Sequence, residues 1–302
     1  MLVNLPVERT SGLRNKTVNI GDISNKGLEF SVNANIIDLK DLQWTLLANI
    51  ATNVNRIERL GTDSFIASDV ILVKEGESLG TFYGYVFDGI VQKGEEASTP
   101  APTWTSSVQA GDPKFVNKAG DSNVIGENDK VILGSIQPKF TYGFATRAVY
   151  KKIDLSASFQ GSYGNYLYNA LRHGLETPSH VFNGSAVLAD HWTPTHTNTN
   201  VPRAIPVPYV TLDDRYIEDA SYLRLKDITL GYAFNVKVDS RSPLRVRIFV
   251  SAQNLFTLTK YTGYDPEASR NGGDETNGLL QGIDQGAYPA AKTFLTGLSL
   301  SF

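Results

Sequence analysis

The sequence predicts an all-β chain: an antiparallel segment of a transmembrane β-barrel, about eight strands of a wide barrel, with long extracellular loops. Three observations lead to this prediction. Apolar and polar residues alternate along several long segments, the connections between them are alternately tight and long, and charged residues avoid the apolar side. A period of two indicates β-strands because successive side chains point to opposite faces of a sheet.

The first two segments predict a long hairpin. Apolar residues alternate with polar ones over 28–36 and again over 42–54, on either side of the polar turn 38–41. The second segment exceeds the five or six residues that are usual in globular sheets. Its length is what a tilted membrane strand requires.

The same alternation recurs further along the chain and predicts five more strands, over 140–150, 155–163, 228–234, 246–256 and 294–302. Their charged residues fall on the polar face. The apolar face is nearly free of charge, as a cost of about 2–4 kcal/mol for Arg or Lys at the membrane midplane requires.

The fifth strand changes phase, because Leu223 and Leu225 fall on one face and Ile228 and Leu230 on the other. A β-bulge near residues 226–227 would restore the phase. The alternative is that the strand begins later.

The connections are of two kinds. Tight turns alternate with long loops along the predicted strands, at 38–41, 151–152 and 236–243 for the turns and about 55–138, 166–220 and 258–289 for the loops. Outer-membrane barrels have short periplasmic turns and long extracellular loops. The sequence therefore predicts that all the tight turns lie in the periplasm. Three aromatic residues near strand ends suit interfacial girdles: Trp44, Tyr150 and Phe302.

Composition excludes several classes of protein. The 302 residues contain no Cys, which excludes disulfide frameworks, thiolate metal sites and Cys nucleophiles. A net charge of −3 without a basic stripe gives no indication of nucleic-acid binding. No apolar run is long enough for a transmembrane helix. The first residues do not have the pattern of a signal peptide, so we expect either a cytoplasmic protein or part of a longer chain.

Seven short segments, in order, resemble the C-terminal barrel part of the SusC/RagA family of TonB-dependent outer-membrane transporters. They are NIGDISNKGLEF at 19–30, GYVFDGI at 84–90, IQPKFTYGF at 136–144, FQGSYG at 159–164, ASYLRLKDITLGY at 220–232, AQNLF at 252–256 and YPAAKTF at 288–294. Each segment is weakly specific alone, and together they cover nearly the whole chain.

The resemblance implies that residues 1–302 are the C-terminal part of a barrel of about 22 strands, without its plug domain and signal peptide. It implies import of glycans or oligopeptides across the outer membrane of a Gram-negative bacterium. Outer-membrane lipid would surround the barrel, and a SusD-like lipoprotein would cap its loops. The TonB complex would act only through the missing N-terminal part. No enzymatic activity is expected.

Aromatic residues of the predicted loops are the candidate ligand-binding residues, because aromatic faces bind sugar CH surfaces and peptide side chains. Packing of loop on loop, or against a partner, is the alternative. The cluster at 82–87 is interpreted as a structural turn. The candidates are Trp104, Trp192, Tyr209, Tyr261 and Tyr264.

The resemblance also suggests a calcium loop over residues 117–129, where the family often has an EF-hand-like pattern. Here Asn117 replaces the first acid, Ala119 removes an oxygen ligand, and the spacing is one residue longer. Calcium prefers six or more oxygen ligands. A polar turn is the alternative to a site in which the ligands would be Asp121, Asn123 and Asp129.

Other chemistry has little support in the sequence. All four histidines fall in the second long loop, and Asp190, His191 and His196 match no zinc motif. There is no nucleophile elbow and no Walker loop.

Two alternative functions remain open. One is a stand-alone, eight-stranded outer-membrane barrel with a structural or adhesive role. Such a barrel has an interior filled by side chains, and the small residues on the polar face here favour a wide lumen instead. The other is a soluble, secreted carbohydrate-binding sandwich, in which a second sheet would cover the apolar face.

Overall fold

The computed structural model describes most of the chain, and the side chains of residues 1–20 are not described. The described residues are 2–6, 15–19, 21–61, 64–67, 70–120, 123–177, 183–205, 212–237, 243–267 and 281–301.

β-Strands make up most of the secondary structure of the described residues. In order, the strands are β1 (Leu2–Pro6), β2 (Asn15–Asn19), β3 (Gly21–Asp38), β4 (Leu42–Leu60), β5 (Phe65–Ala67), β6 (Ile71–Val73), β7 (Thr81–Gly84), β8 (Phe87–Ile90), β9 (Ala101–Pro102), β10 (Pro113–Phe115), β11 (Val124–Ile125), β12 (Val131–Ser135), β13 (Phe140–Tyr150), β14 (Ile153–Tyr163), β15 (Tyr166–Asn169), β16 (Ile217–Asp219), β17 (Tyr222–Lys237), β18 (Pro243–Thr259), β19 (Ile283–Asp284) and β20 (Thr293–Ser301).

Helical structure is short. The α-helix α1 covers Ala170–Glu176, and 3₁₀ turns cover Glu127–Asp129, Ala186–Asp190 and Asp214–Tyr216. Within the described ranges, no helix has the length and apolar character needed to cross a membrane.

Seven long strands form one antiparallel sheet, here called the wall sheet. Its order is β3-β4-β13-β14-β17-β18-β20, so each strand pairs with the next long strand along the chain. The strands are 9 to 19 residues long. The prediction of an all-β antiparallel barrel segment is confirmed. In addition, β1 forms a separate pair with β2.

The two faces of the wall sheet have opposite polarity. Directly opposed residues share a face, and one such row joins Phe30, Ile50 and Tyr142. The neighbouring row, on the other face, joins Ser31, Asn49 and Gly143. We call the apolar side the outer face and the polar side the inner face.

Charged side chains follow this division. Arg247 pairs with Asp154 on the inner face, with Nη2 and Oδ2 2.5 Å apart. The guanidinium reaches Asp154 across Gly231, where a Cβ would come within 2.5 Å of both side chains. Any larger residue at 231 would therefore force the two side chains of this ion pair to shift.

The predicted bulge in β17 is confirmed. Asp227 lies opposite Ser158 and Leu225 lies opposite Phe159, so Lys226 is the extra residue. Because of this extra residue, the apolar side chains before and after it lie on the same outer face.

The connections follow the predicted alternation. The turns 39–41 and 151–152 lie at one end of the wall sheet, and Lys151 takes a left-handed φ of 53° in the second. Residues 238–242, between β17 and β18, lie outside the described residues. The three long loops leave from the opposite end of the sheet. The first starts at residue 61 rather than 55, because β4 extends to Leu60.

The long loops fold together into a compact region, here called the loop cap, formed by the described residues of 61–139, 164–221 and 260–292. It contains a four-stranded sheet, β12-β7-β6-β5, and a three-stranded sheet, β16-β15-β19. All three loops contribute to one apolar core, whose buried members are Val70, Ile71, Phe82, Leu212, Ile217 and Ile283. The loop cap therefore has the arrangement of a small globular domain.

Candidate functional site

A polar cluster lies on the inner face where the wall sheet meets the loop cap. After β18 the third loop turns back over this face, and the carboxylate of Glu267 reaches the wall sheet. Four wall side chains surround it. We call them the carboxylate pocket: Gln160 on β14, and Tyr222, Arg224 and Lys226 on β17.

The geometry of the pocket is that of a carboxylate receptor. Gln160 Nε2 and the Tyr222 hydroxyl both donate to Glu267 Oε1, each at 2.5 Å. Arg224 Nη1 donates to Oε2, and Lys226 Nζ lies 3.9 Å from the same oxygen. Charge-assisted hydrogen bonds such as these are stronger than neutral ones.

Arg224 is held in place by further partners. Its side chain is buried, and Nη2 donates to Asp265 Oδ1 at 2.5 Å while Nε donates to Thr257 Oγ1 at 2.9 Å. Burial alone would raise the pKa of Asp265. Hydrogen bonds from the backbone N–H of Glu267, from Arg224 and from the backbone N–H of Ala290 outweigh burial and lower that pKa.

A groove of about 430 Å³ runs along the inner face beside this pocket. Gly143 forms part of its floor, and Gln160 and Tyr222 of the pocket line one end. Most of the other inner-face side chains along it are small or neutral and polar: Asn49, Thr141, Ala145, Ser158 and Ser162. Such a lining can hydrogen-bond a polar ligand without fixing its charge.

A second cavity, of about 250 Å³, lies on the loop-cap side of the pocket. Ser162, Asn165 and Gln281 contribute polar groups to it, and Tyr222 and Glu267 close it towards the groove. The pocket therefore separates two polar spaces, and Glu267 stands between them.

Two of the aromatic candidates, Trp192 and Tyr261, pack inside the loop cap, whereas Trp104 is exposed. Trp192 is buried, and its Nε1 donates to Gln92 Oε1 at 3.2 Å. Tyr261 is buried and donates its hydroxyl to Asp284 Oδ2 at 2.6 Å. Burial, with this hydrogen bond, raises the pKa of Tyr261. The ring of Trp104 lies 5.3 Å from that of Tyr85.

Tyr264 is placed differently, because its ring is 64% exposed. It lines a cavity of about 470 Å³ together with Arg172, Leu175 and Thr262. Tyr209 lies outside the described residues. Ligand binding by the five aromatic candidates stays a prediction.

In the proposed calcium loop, the carboxylate of Asp129 makes hydrogen bonds with the backbone of the loop. Asp129 is buried, and its two oxygens accept hydrogen bonds from the backbone N–H groups of Ala119 and Gly126, at 3.0 and 2.8 Å. Burial raises the pKa of Asp129, but these hydrogen bonds outweigh it and lower the pKa. Asn123 is exposed, and Asp121 lies outside the described residues. Calcium binding stays a prediction.

The histidines make local contacts. His196 Nε2 lies 2.8 Å from Asp190 Oδ1, and His191 Nδ1 lies 2.9 Å from the carbonyl oxygen of Leu188. His173 is buried in α1 and stacks on Tyr216. Among the residues that the structure describes, no three His, Asp or Glu side chains converge as metal ligands would.

The carboxylate pocket is not among the sites that the sequence predicts. The signal was present in β17, where Tyr222 and Arg224 alternate with leucines and so lie on the inner face. Their partner Glu267 is 43 residues beyond Arg224, and no local pattern connects the two.

Comparison with known proteins gives a consistent result. No protein-family model matches the chain. The chain is 36% identical over its whole length to TonB-dependent receptor P3 of Formosa agariphila. Over 95% of its length it is 31% identical to TonB-dependent receptor SusC of Bacteroides thetaiotaomicron. It spans about a third of these relatives: 31% of P3 and 27% of SusC.

Solved structures agree with these sequence relatives. The whole chain superposes on 32% of a chain of the RagAB peptide transporter, with a TM-score of 0.78 and 25% identity. In the "open-open" state of the RagAB peptide importer the TM-score is 0.74. The predicted resemblance to the C-terminal barrel part of SusC/RagA-type receptors is confirmed. These relatives are receptors and transporters, as expected for a chain that is not an enzyme.

Proposed function

We propose that residues 1–302 form the C-terminal wall and outer loops of a barrel that imports a polar nutrient across the outer membrane of a Gram-negative bacterium. The observation that carries this proposal is the inverted polarity of the wall sheet. Leu28 is 81% exposed and Leu298 is 61% exposed on the outer face. Apolar side chains on the outside and polar ones on the inside suit a wall between lipid and a wet lumen.

The inner face supplies the path for the nutrient. Its groove is lined by hydroxyl and amide groups and opens beside the loop cap. Glycans and oligopeptides both carry many hydrogen-bonding groups, so both match this lining. The resemblance to the RagAB peptide transporter supports the oligopeptide class, and glycans are the second proposed class.

Partners follow from the same resemblance. A SusD-like lipoprotein would cover the loop cap and hold substrate above the lumen. Energy would come from the TonB complex, acting on a part of the whole protein that these 302 residues do not contain. The long loops support the first of these proposals, because they pack around one shared apolar core and do not form separate arms.

The test replaces the matching third of TonB-dependent receptor P3 with residues 1–302 and expresses this hybrid receptor in cells that lack P3. Uptake of labelled oligosaccharides and oligopeptides is measured. Gly143→Phe, which fills the groove, is expected to reduce uptake at least tenfold. Ser156→Phe is the matched control, because Ser156 shares the inner face but does not line the groove.

The outcomes are distinct. Uptake that Gly143→Phe abolishes and Ser156→Phe preserves supports import along the inner face. A hybrid receptor that reaches the outer membrane and admits none of the substrates contradicts import. That result would favour the stand-alone structural or adhesive barrel instead.

A further inference from the structure

The carboxylate pocket has the composition of a ligand site, although its occupant belongs to the chain. Gln160, Tyr222 and Lys226 are wall residues whose polar groups converge on one point. That point is filled by Glu267, from a loop that returns across the inner face. Amide, hydroxyl, guanidinium and ammonium groups directed at one carboxylate form a complete set of donors.

The position of the pocket also favours a ligand. It lies between the groove and the second cavity, and Tyr222 lines both of these spaces. Ser162 also lines both, and Glu267 lines the second cavity while its carboxylate accepts hydrogen bonds from Gln160 and Tyr222 at the end of the groove. A ligand that moves along the inner face towards the loop cap therefore meets the pocket.

We propose that the carboxylate pocket binds a carboxylate group of the imported ligand, and that Glu267 occupies it as an internal competitor. The inference rests on the proposed import function, and it narrows the substrate to molecules that carry a carboxylate. Glu267 then imitates the ligand, and binding of the ligand displaces Glu267.

The balance of charge supports an exchange of one carboxylate for another. Arg224 and Lys226 carry two positive charges, and Asp265 and Glu267 carry two negative ones. When Glu267 leaves, the remaining groups have a net charge of +1. A ligand with one carboxylate restores neutrality, whereas a neutral sugar leaves the pocket charge without compensation.

Arg224 can stay in place during this exchange. Its bonds to Asp265 and Thr257 do not involve Glu267. The pocket is therefore preorganised for the incoming group, and preorganisation reduces the cost of binding.

The carboxylate can come from a uronic acid of a glycan or from the C-terminus of a peptide. Titration calorimetry with the 302-residue chain, refolded in detergent and checked for β-sheet by circular dichroism, distinguishes these sources. Glucuronate is compared with glucose, and N-acetyl-dialanine with its amide. The purified hybrid receptor is the second preparation, so that the result does not depend on refolding of the shorter chain.

Removal of the competitor is the decisive change. Glu267→Ala is expected to raise the affinity for the carboxylate probes at least tenfold, because a tethered group competes at an effective concentration in the millimolar range. Glu267→Gln, which keeps the volume of the side chain, is expected to act in the same direction. Glu127→Ala is the matched control, since Glu127 is an exposed loop acid that pairs with Lys130 and lies outside the carboxylate pocket.

Two further variants identify the donors. In the Glu267→Ala background, Gln160→Ala and Tyr222→Phe are each expected to weaken carboxylate binding about tenfold or more, since a hydrogen bond to a charged group contributes roughly 1.5 kcal/mol or more. Arg224 is left unchanged because it also holds Asp265. A preference for glucuronate over N-acetyl-dialanine, or the reverse, gives the source of the carboxylate.

The proposal is overturned if Glu267→Ala and Glu267→Gln bind the carboxylates no better than the unchanged chain. It is also overturned if glucose binds as well as glucuronate and the amide as well as the acid, because the pocket then recognises no charge. If the hybrid receptor binds the carboxylates but takes none of them up, the result contradicts the import function. It does not contradict the carboxylate pocket, because the titration requires no transport.

Discussion

The wall sheet and the loop cap place the same kinds of side chain in opposite environments. On the outer face of the wall, Phe294 is 71% exposed, whereas Phe82 in the loop cap is fully buried. The wall strands pair side by side, and no second layer covers their apolar face within the described residues. The loop cap instead packs strands from three loops around a shared core.

The exposure of these two rings indicates that the regions suit different solvents, water for the loop cap and lipid for the outer face of the wall sheet. Burial of Phe82 and Ile71 removes apolar surface from water, which is the main favourable contribution in a water-soluble fold. Exposure of Phe294 would be unfavourable in water and suits contact with lipid chains. A single chain therefore contains a sheet whose outer face suits lipid, joined to a domain with an ordinary core.

The largest effect is expected from Phe82→Ala. Removal of a fully buried ring leaves a cavity in the loop-cap core and should cost about 3–5 kcal/mol. Phe294→Ala is the matched control on the wall, where detergent or lipid fills the space, and a change within about 0.5 kcal/mol is expected. Thermal unfolding of the refolded chain, followed by near-ultraviolet circular dichroism, measures both. Equal losses would mean that the two regions share one solvent.

The next largest effect is expected from an arginine placed on the outer face of the wall sheet, compared with one placed on the inner face. Ala157 lies on the outer face, and the next residue, Ser158, lies on the inner face opposite Asp227. In a lipid bilayer, Ala157→Arg should destabilise the wall by about 2–4 kcal/mol. Ser158→Arg should cost less than about 1 kcal/mol, since its charge meets a carboxylate in a polar lumen.

Urea unfolding of the hybrid receptor in bilayers, followed by tryptophan fluorescence, measures this pair of variants. If both substitutions have the same small effect, the outer face is in water, which contradicts a wall that faces lipid. The expected asymmetry would place the outer face in an apolar environment, as a wall that faces lipid requires.

The wall sheet was predictable from sequence because the patterns that indicate its strands are local in the chain. A period of two over ten or more residues gives both the strand and its faces, and the phase change in β17 predicted a bulge near residues 226–227, where Lys226 is the extra residue. These signals lie within single strands of 9 to 19 residues. Alternation of tight and long connections then predicted the end of the sheet from which each connection leaves.

The loop cap and the site were not predictable in the same way, because their contacts connect distant parts of the chain. Gln160 and Glu267 are 107 residues apart, and the two tryptophans of the loops were chosen only by residue type. An aromatic ring suits packing and ligand binding equally well. Trp192 and Tyr264 therefore looked alike in the sequence, although one is buried and the other is exposed.

The smallest effect concerns Asp129, whose carboxylate stabilises the loop cap through the backbone N–H groups of Ala119 and Gly126. Because these bonds lower the pKa of Asp129 in the folded state, its contribution is fully present above the ordinary aspartate pKa of about 3.9. It is lost as the pH falls through the lower folded-state pKa. Asp129→Ala should therefore cost about 1 kcal/mol at neutral pH.

The pH dependence distinguishes this role from a general loss of packing. The stability difference between the unchanged chain and Asp129→Ala should shrink towards zero at acidic pH, whereas a packing defect would persist. Glu127→Ala, at an exposed acid of the same 3₁₀ turn, serves as the control. The same titration repeated with calcium tests the predicted metal site: if Asp129 is a ligand, calcium stabilises the unchanged chain and not Asp129→Ala. Because both oxygens of Asp129 already accept backbone hydrogen bonds, we expect calcium to have the same small effect on both.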